Sequence, residues 1–418
     1  MKNVIWAICV AASIAAPSRA QDYGSGAACS EVPLRCVDAI AQGYIAENTA
    51  TIAEGEVWAA RNKVLAGLAR MWARAGNGTQ VLVVIDSMDD DTIRLATRLY
   101  AARWLVDAAG DEMLDEAQQQ MAMLPQPSGE LLAALAASEA ARGHQSLAQE
   151  ALAKAVLALQ ATPPSSARDL RIAIAKAHIA GGAYEAAMAV MASISGEPPE
   201  MQVVRHSFYA DLVHTRVRAG QVEAAIQMVE AIDNDFVRVA ALANLTVALL
   251  EGGQYERAQV AFQKAMSEAK SYAGTEYHAA LLAALTGPAY LLLGNEAQAK
   301  LQQQALREMR DTPYDTIYLN DLAILVQSLI SVDELVEARK LIPEIEQAAA
   351  PFTTRNNQYG YNGTIAMLLL KMEDIPAAFA VLSREGDAQY KQIMLLRLLD
   401  NLPQRVTPVY SPGAYYYH

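Results

Sequence analysis

The residues that most often carry catalysis or bind metals follow no recognisable pattern in this sequence. Its histidines are His144, His178, His206, His214, His278 and His418. No HEXXH pair occurs, and GXSXG, the P-loop and GXGXXG are also absent. A Ser-His-Asp triad assembled from distant residues stays open at this point. We expect no catalytic site, no metal and no cofactor, and we predict that the protein is not an enzyme.

Consecutive aspartates at Asp89, Asp90 and Asp91 are of a type that can bind calcium. The run lacks the glycine and the distal glutamate of an EF-hand loop. It also recurs, because the segments around Asp91 and Asp235 both read D-x-D-x-[IV]-R-x-A. A carboxylate before a helix accepts hydrogen bonds from free backbone N–H groups. We therefore predict that Asp91 and Asp235 cap helices rather than bind metal.

Residues 1–20 have the pattern of a secretory signal peptide. Lys2 precedes an apolar run from Val4 to Ala16, and Ser18-Arg19-Ala20 gives the small residues of a cleavage site. The run of about 13 residues is short for a bilayer span, although a retained membrane anchor is the alternative. We predict cleavage near Ala20, a periplasmic or secreted protein, and no membrane span in the mature chain. The alanine-rich composition favours a bacterial source.

Charge and composition restrict the classes of partner and fold. Removal of Lys2 and Arg19 with the signal takes the formal net charge from -13 to -15. An acidic chain repels phosphate backbones, so we expect no nucleic-acid partner. Hydrophobic residues make up 53% of the chain but aromatic residues only 6%, so alanine and leucine supply most of the apolar content. That composition is typical of close-packed helices.

Two cysteines remain after Cys9 leaves with the signal. Cys29 and Cys36 form an even pair in a chain expected in an oxidising compartment, which favours a disulfide. The alternative, a metal or redox site, would lack the CXXC spacing and a nearby histidine. We predict that residues 21–50 form an N-terminal cap tethered by this disulfide.

A glycine followed five residues later by an alanine recurs along the chain. The clearest pairs are Gly182 and Ala187, Gly220 and Ala225, Gly253 and Ala258, and Gly294 and Ala299. Weaker copies begin at Gly76, Gly110, Gly143, Asp333 and Glu373, an acid replacing glycine in the last two. Stretches with an apolar period near 3.6 flank each turn, which predicts helical hairpins. This register also predicts a helix for the strand-like run Val81 to Ile85, and a kink at Pro288.

The segment from Val239 to Met266 resembles a tetratricopeptide repeat. The matching second-helix positions are Gly253, Tyr255, Ala258, Phe262 and Ala265, and Gly287 and Tyr290 match the first-helix pattern of the next unit. The resemblance is weaker over about 51–400, and the early tryptophan of the family is absent. It implies an all-α, right-handed superhelical solenoid of about nine hairpins over residues 51–402. Residues 403–418, rich in proline and tyrosine, are predicted to be a flexible tail.

The resemblance also implies that the first helix of each hairpin lines a concave groove. Candidates for partner binding are Arg70, Tyr100, Trp104, Lys176 and His214. Apolar candidates are Val247, Leu250, Leu281, Leu291, Ile330 and Met367. We predict an exported scaffold that binds a protein or peptide partner. The alternatives are a carrier or chaperone for an apolar ligand, and, for Trp104 and the leucines, simple core packing.

Overall fold

The computed structural model describes residues 33–48, 54–105, 108–163, 167–193, 212–232, 235–275, 277–311, 316–349, 355–385 and 388–402. The predicted signal peptide, Cys29 and the tail 403–418 lie outside these ranges, so those predictions stay as predictions. Every described element is helical, and none of the described residues is in a strand. No helix among them combines the length and the apolar character needed to span a bilayer.

The helices follow one another with short connections. The N-terminal half contains α1 (Pro33–Asn48), α2 (Glu54–Arg74), α3 (Gly78–Asp86), α4 (Asp91–Trp104), α5 (Ala108–Met123), α6 (Gly129–Ala141), α7 (Gln145–Ala161), α8 (Arg168–Ala180) and α9 (Tyr184–Ala192). Residues 212–218 are also helical. The remainder contains α10 (Val222–Glu230), α11 (Asp235–Glu251), α12 (Tyr255–Ala269), a 3-10 turn (Lys270–Tyr272), α13 (His278–Leu293), α14 (Asn295–Asp311), α15 (Thr316–Ile330), α16 (Leu335–Ala349), α17 (Arg355–Lys371), α18 (Ile375–Ser383) and α19 (Ala388–Asn401).

The helices pack in neighbouring pairs that form two rows. We call α2, α4, α6, α8, α11, α13, α15, α17 and α19 the inner row, and α3, α5, α7, α9, α10, α12, α14, α16 and α18 the outer row. Among the described residues, α10 follows residues 212–218, and no outer-row helix follows α19. Successive inner-row helices contact each other, except that residues 212–218 lie between α8 and α11 and share a hydrophobic cluster with both. Residues 278–289 of α13 are buried on every side, as expected for a helix surrounded by neighbours.

Most of the predicted turns have the left-handed backbone that glycine favours. The turn glycines have φ values between 70° and 82°, and Asp333 and Glu373 take the same conformation with φ of 64° and 59°. Alanines five residues after these turns, including Ala187, Ala225 and Ala258, are fully buried against the partner helix. The hairpin register predicted from the glycine–alanine spacing is therefore confirmed at these units.

Two positions depart from that register. Gly110 is buried inside α5, so the prediction of a turn there is wrong. After Gly294 the second helix begins at once, whereas the turn at Gly182 contains a further residue before its helix starts. This shortening moves the buried position by one residue. Gln298 is therefore buried and Ala299 is exposed.

Pro288, where a kink is predicted, lies inside the continuous helix α13 at a contact with the neighbouring unit. Proline has no N–H, so it cannot donate to the carbonyl of Ala284 one turn earlier. The Ser328 hydroxyl on α15 donates to that carbonyl at 3.0 Å and accepts a hydrogen bond from the Gly287 N–H at 2.9 Å. Because Ser328 is buried, this exchange satisfies polar groups that would otherwise lie unpaired in the core.

The last helix, α19, packs against α2, so the inner row returns to its beginning. Gly67 on α2 allows this approach, because a Cβ atom there would lie 3.0 Å from Leu399 Cδ1 and 3.4 Å from Leu396 Cδ2. The Arg74 Nε donates to the Leu402 carbonyl at 2.8 Å. Helices from opposite ends of the repeat region thus share one interface.

The repeated aspartate–arginine motif lies at helix starts, but the predicted capping residues Asp91 and Asp235 are the first residues of α4 and α11 rather than the residues before them. The cap of α4 is Asp90, whose carboxylate accepts from the Ile93 N–H at 2.8 Å, whereas Asp91 is the first helical residue. In both copies the arginine reaches back to a loop carbonyl. Arg94 donates to the Met88 carbonyl at 2.6 Å, and Arg238 donates to the Ile232 carbonyl at 2.7 Å.

Candidate functional site

A cavity of about 350 Å³ lies on the inner row where α2, α4 and α19 meet. Its lining residues are Lys63, Ala66, Arg70, Ile93, Ala96, Thr97, Tyr100 and Leu396. The α4 members recur every three or four residues, which places them on one face of that helix. The volume is at the small end for a ligand site, so it suits one or two side chains of an extended segment.

Tyr100 is the centre of a group of arginines beside this cavity. The guanidinium carbons of Arg70 and Arg74 each lie 5.9 Å from the centre of the Tyr100 ring. At that distance a cation is attracted to the ring face. Arg74 Nη1 also donates a hydrogen bond to the Tyr100 hydroxyl oxygen, at 2.7 Å. The Trp104 ring, 37% exposed, lies 6.3 Å from the Tyr100 ring, so the aromatic surface continues towards solvent.

The charges of these arginines are only partly balanced. Arg70 forms an ion pair with Asp400, in which Arg70 Nε lies 2.8 Å from Asp400 Oδ1. Arg74 donates to neutral groups, namely the Tyr100 hydroxyl and the carbonyls of Leu399 and Leu402. The structure therefore gathers positive charge on the inner row of a chain whose formal net charge is -13.

Of the predicted binding residues, the structure brings together Arg70, Tyr100 and Trp104. Lys176 is exposed on α8 but does not line this cavity. His214 is buried, with 4% of its surface exposed. Lys176 and His214 are therefore not part of the cavity between α2, α4 and α19.

His214 is a titratable group held inside the core. Among the residues that the structure describes, neither of its ring nitrogens has a hydrogen-bond partner. Burial lowers the pKa of the imidazole, the charge of Glu251 opposes this shift, and the charge of Arg218 adds to it. The neutral ring is therefore the form that the folded protein favours.

We expect this histidine to make the protein less stable in mild acid. Because the folded-state pKa is lowered, the stabilisation is present above the pKa of an unfolded histidine, about 6.5, and is lost as the pH falls below it. The loss reaches at most about 1.4 kcal/mol per pH unit. Urea unfolding of the wild type and of His214→Gln between pH 8 and about pH 5 measures it. The wild type should lose more stability than the variant, and parallel curves would rule out this role.

The apolar groove candidates divide by burial. Val247, Leu281 and Ile330 have 5%, 0% and 6% of their surface exposed, so they pack in the core and do not line a groove. Leu250 and Met367 are half-buried. Leu291 is 39% exposed. The alternative of core packing therefore describes Val247, Leu281 and Ile330, whereas Trp104 is partly exposed.

Sequence reasoning missed residues that belong to the cavity region. Arg74, which contacts the Tyr100 ring, follows Arg70 by four residues, so helical spacing could have indicated it. Leu396 could not be found in this way, because it reaches the cavity only through the packing of α19 against α2.

Other histidines with partners make ordinary structural contacts. His278 Nδ1 lies 2.6 Å from a carboxylate oxygen of Glu308, and His144 Nδ1 lies 2.8 Å from one of Glu139. Within the described part of the chain, no three His, Cys, Asp or Glu side chains are grouped so that they could hold a metal ion. No protein-family model matches this sequence, and no curated protein is similar to it.

Proposed function

We propose that this protein is an exported, non-enzymatic helical-repeat scaffold that binds a segment of a partner protein on its inner row. In this proposal residues 51–402 form a right-handed superhelical solenoid of about nine tetratricopeptide-like hairpins. The signal pattern of residues 1–20 supports a periplasmic or secreted location, and a Cys29–Cys36 disulfide would tether the N-terminal cap. The paired helices and their left-handed turns are compatible with this architecture.

The observation that carries the proposal is the grouping of Arg70, Tyr100 and Trp104 beside one cavity. The sequence predicts these residues as groove candidates in successive hairpins, and they lie together beside the cavity that α19 borders. Tryptophan, tyrosine and arginine are the residues that most often dominate protein interfaces. A partly exposed Trp104 beside a basic cavity is therefore a reasonable anchor for a protein segment.

The alternative function, a carrier for an apolar ligand, receives less support. It requires an apolar lined cavity in the C-terminal half, where Val247, Leu281 and Ile330 are packed in the core. A cavity of about 300 Å³ between α10, α11 and α12 has Leu242, Leu245 and Val260 in its wall, but the charged Glu256 and Lys264 also line it. The cavity on the inner row of the N-terminal half contains Lys63 and Arg70 among its lining residues. Mixed basic and apolar walls fit a peptide better than a lipid tail.

Crosslinked affinity capture from the native extract tests the proposal. The full-length wild type is compared with Trp104→Ala, and captured proteins are identified by mass spectrometry and then re-tested as purified proteins. Tyr255→Ala is the matched control, because Tyr255 is an exposed aromatic residue on outer-row helix α12. We expect one partner to bind the wild type and Tyr255→Ala equally well. Its affinity for Trp104→Ala should be about tenfold or more lower, as for a hot-spot residue.

Circular dichroism of each variant shows whether it remains folded. A purified partner that binds Trp104→Ala as tightly as the wild type would show that the inner-row face is the wrong surface. A captured lipid or metabolite without any protein would favour the carrier function.

A further inference from the structure

The chain leaves α19 directly beside the inner-row cavity. The Leu402 carbonyl accepts a hydrogen bond from Arg74 Nε at 2.8 Å, and Arg74 Nη1 donates to the Tyr100 hydroxyl at 2.7 Å. Tyr100 lines the cavity. One guanidinium group therefore separates the end of the described chain from the cavity wall, and the tail, residues 403–418, continues from that point.

The composition of the tail suits a surface rich in aromatic rings. It contains four tyrosines and three prolines, but no aspartate or glutamate. Proline fixes its own φ, so a proline-rich segment loses less conformational freedom when it binds. Segments of this kind dock in grooves lined by aromatic side chains. The tyrosines are Tyr410, Tyr415, Tyr416 and Tyr417, and the prolines are Pro403, Pro408 and Pro412.

The cavity offers apolar and aromatic surface to a tyrosine ring. Ile93 and Leu396 line it, and a ring that packs against them gains from leaving water. The Trp104 ring is 37% exposed and lies 6.3 Å from the Tyr100 ring, so its exposed surface can contact a further ring. The cavity volume of about 350 Å³ accommodates a side chain of this size.

The charges at the cavity favour an aromatic ring over a carboxylate. Arg70 already forms an ion pair with Asp400. The Arg70 guanidinium carbon lies 5.9 Å from the centre of the Tyr100 ring, a distance at which a cation is attracted to a ring face. The formal net charge of -13 repels an acidic segment at longer range. A tail without acidic residues avoids this repulsion.

Attachment beside the cavity strengthens even a weak contact. A segment joined by a short linker has an effective concentration of about 1 mM. A contact whose dissociation constant is about 0.1 mM for the free peptide would then be formed in about 90% of the molecules.

We propose that the tail binds the inner-row cavity of its own chain, with a tyrosine ring packed against Ile93 and Leu396 and in contact with Trp104. The tail then competes with a partner segment for the same surface and lowers the apparent affinity of the partner. This inference rests on the proposed function and adds the regulation of its site.

Binding of a free tail peptide tests this assignment. The probe is a fluorescein-labelled synthetic peptide with the sequence of residues 403–418, and fluorescence anisotropy measures its binding. The full-length wild type is compared with a full-length tail variant that carries Tyr410→Ser, Tyr415→Ser, Tyr416→Ser and Tyr417→Ser. We expect the tail variant to bind the peptide with a dissociation constant of about 0.1 mM, because its own tail no longer occupies the cavity. The wild type should bind about tenfold more weakly, since its own tail competes at an effective concentration of about 1 mM.

Second substitutions in the tail variant locate the binding surface. Trp104→Ala should weaken binding of the peptide about fivefold, through the loss of an aromatic contact. Ala96→Leu should also weaken it, because the larger side chain fills the cavity that Ala96 lines. If Trp104→Ala does not fold, Ala96→Leu still tests the assignment. Tyr255→Ala, on outer-row helix α12, is the matched control and should leave binding unchanged.

Equal binding of the peptide to the wild type and to the tail variant would overturn the assignment, and so would binding to neither. Binding that survives both Trp104→Ala and Ala96→Leu would overturn it as well. Light scattering detects binding between copies. A wild-type dimer that the tail variant does not form would place the tail on a second copy and contradict the assignment.

The tail contact and the proposed function fail separately. A partner captured by the wild type and lost with Trp104→Ala leaves the proposed function intact, even when the tail peptide does not bind. Peptide binding as expected, without any captured partner, supports the tail contact and counts against the proposed function.

Discussion

Replacement of Gly287 by alanine is expected to destabilise the protein by about 3 kcal/mol or more, as overpacking and the loss of two buried hydrogen bonds combine. The added Cβ would overlap the Ser328 carbonyl oxygen and lie 3.0 Å from Ser328 Oγ. To relieve the overlap, α13 and α15 must separate. Separation breaks the hydrogen bonds by which Ser328 satisfies Ala284 and Gly287.

Urea unfolding of Gly287→Ala and of a matched control measures this effect. Gly363→Ala is the control, because Gly363 is also a buried glycine in an inner-row helix, and its Cβ would meet neighbours only at 3.7 Å. That variant should be tolerated, or gain up to about 1 kcal/mol from the better helix propensity of alanine. Equal stability of the two variants would mean that α13 and α15 do not approach this closely.

Replacement of Arg74 by alanine should destabilise the protein by about 2–3 kcal/mol, since hydrogen bonds to charged groups are among the strongest. The guanidinium bonds the carbonyls of Leu399 and Leu402 at the C-terminal end of α19. A cation is favourable at that end of a helix because of the helix dipole. The substitution removes these bonds together with the one to Tyr100.

Hydrogen exchange distinguishes a local from a general effect of Arg74→Ala. Amides of α19 should lose more protection than those of α13, because the lost bonds hold α19 against α2. Arg74→Lys should recover only part of the stability, since an ammonium lacks the planar fork. Arg168→Ala, at an exposed arginine whose ion pair with Asp169 spans 3.9 Å, should stay within about 0.5 kcal/mol of the wild type. Unchanged protection of α19 would contradict the role assigned to Arg74.

Local features could be predicted from the sequence because they depend on local physics. The turn glycines specify a left-handed backbone, and the apolar period specifies helices. The run Val81 to Ile85 favours a strand by composition, yet it forms part of α3 because the repeat places it against α2. Ala299 shows the limit of this approach. One residue fewer in the turn moved the buried position to Gln298, and the spacing of the neighbouring units gave no indication of it.

The candidate site could be predicted only in part, for a related reason. Tyr100 and Trp104 lie on one helix, and their common face follows from their spacing. The position of Leu396 depends on the rotation between each hairpin and the preceding one, because these rotations add up along the whole array. Small rotations per unit decide which distant helices meet, and no residue pattern in the sequence records that sum.

The contact between α19 and α2 also limits how this protein can vary. A linear array of repeats has two terminal units with one neighbour each, and it can gain or lose a unit by duplication or deletion. Here the first and last inner-row helices are neighbours, so an inserted hairpin would displace Leu399 from Gly67 and Asp400 from Arg70. The number of repeats is thereby tied to the integrity of the fold. Only the loops and the outer-row helices remain free to change in length.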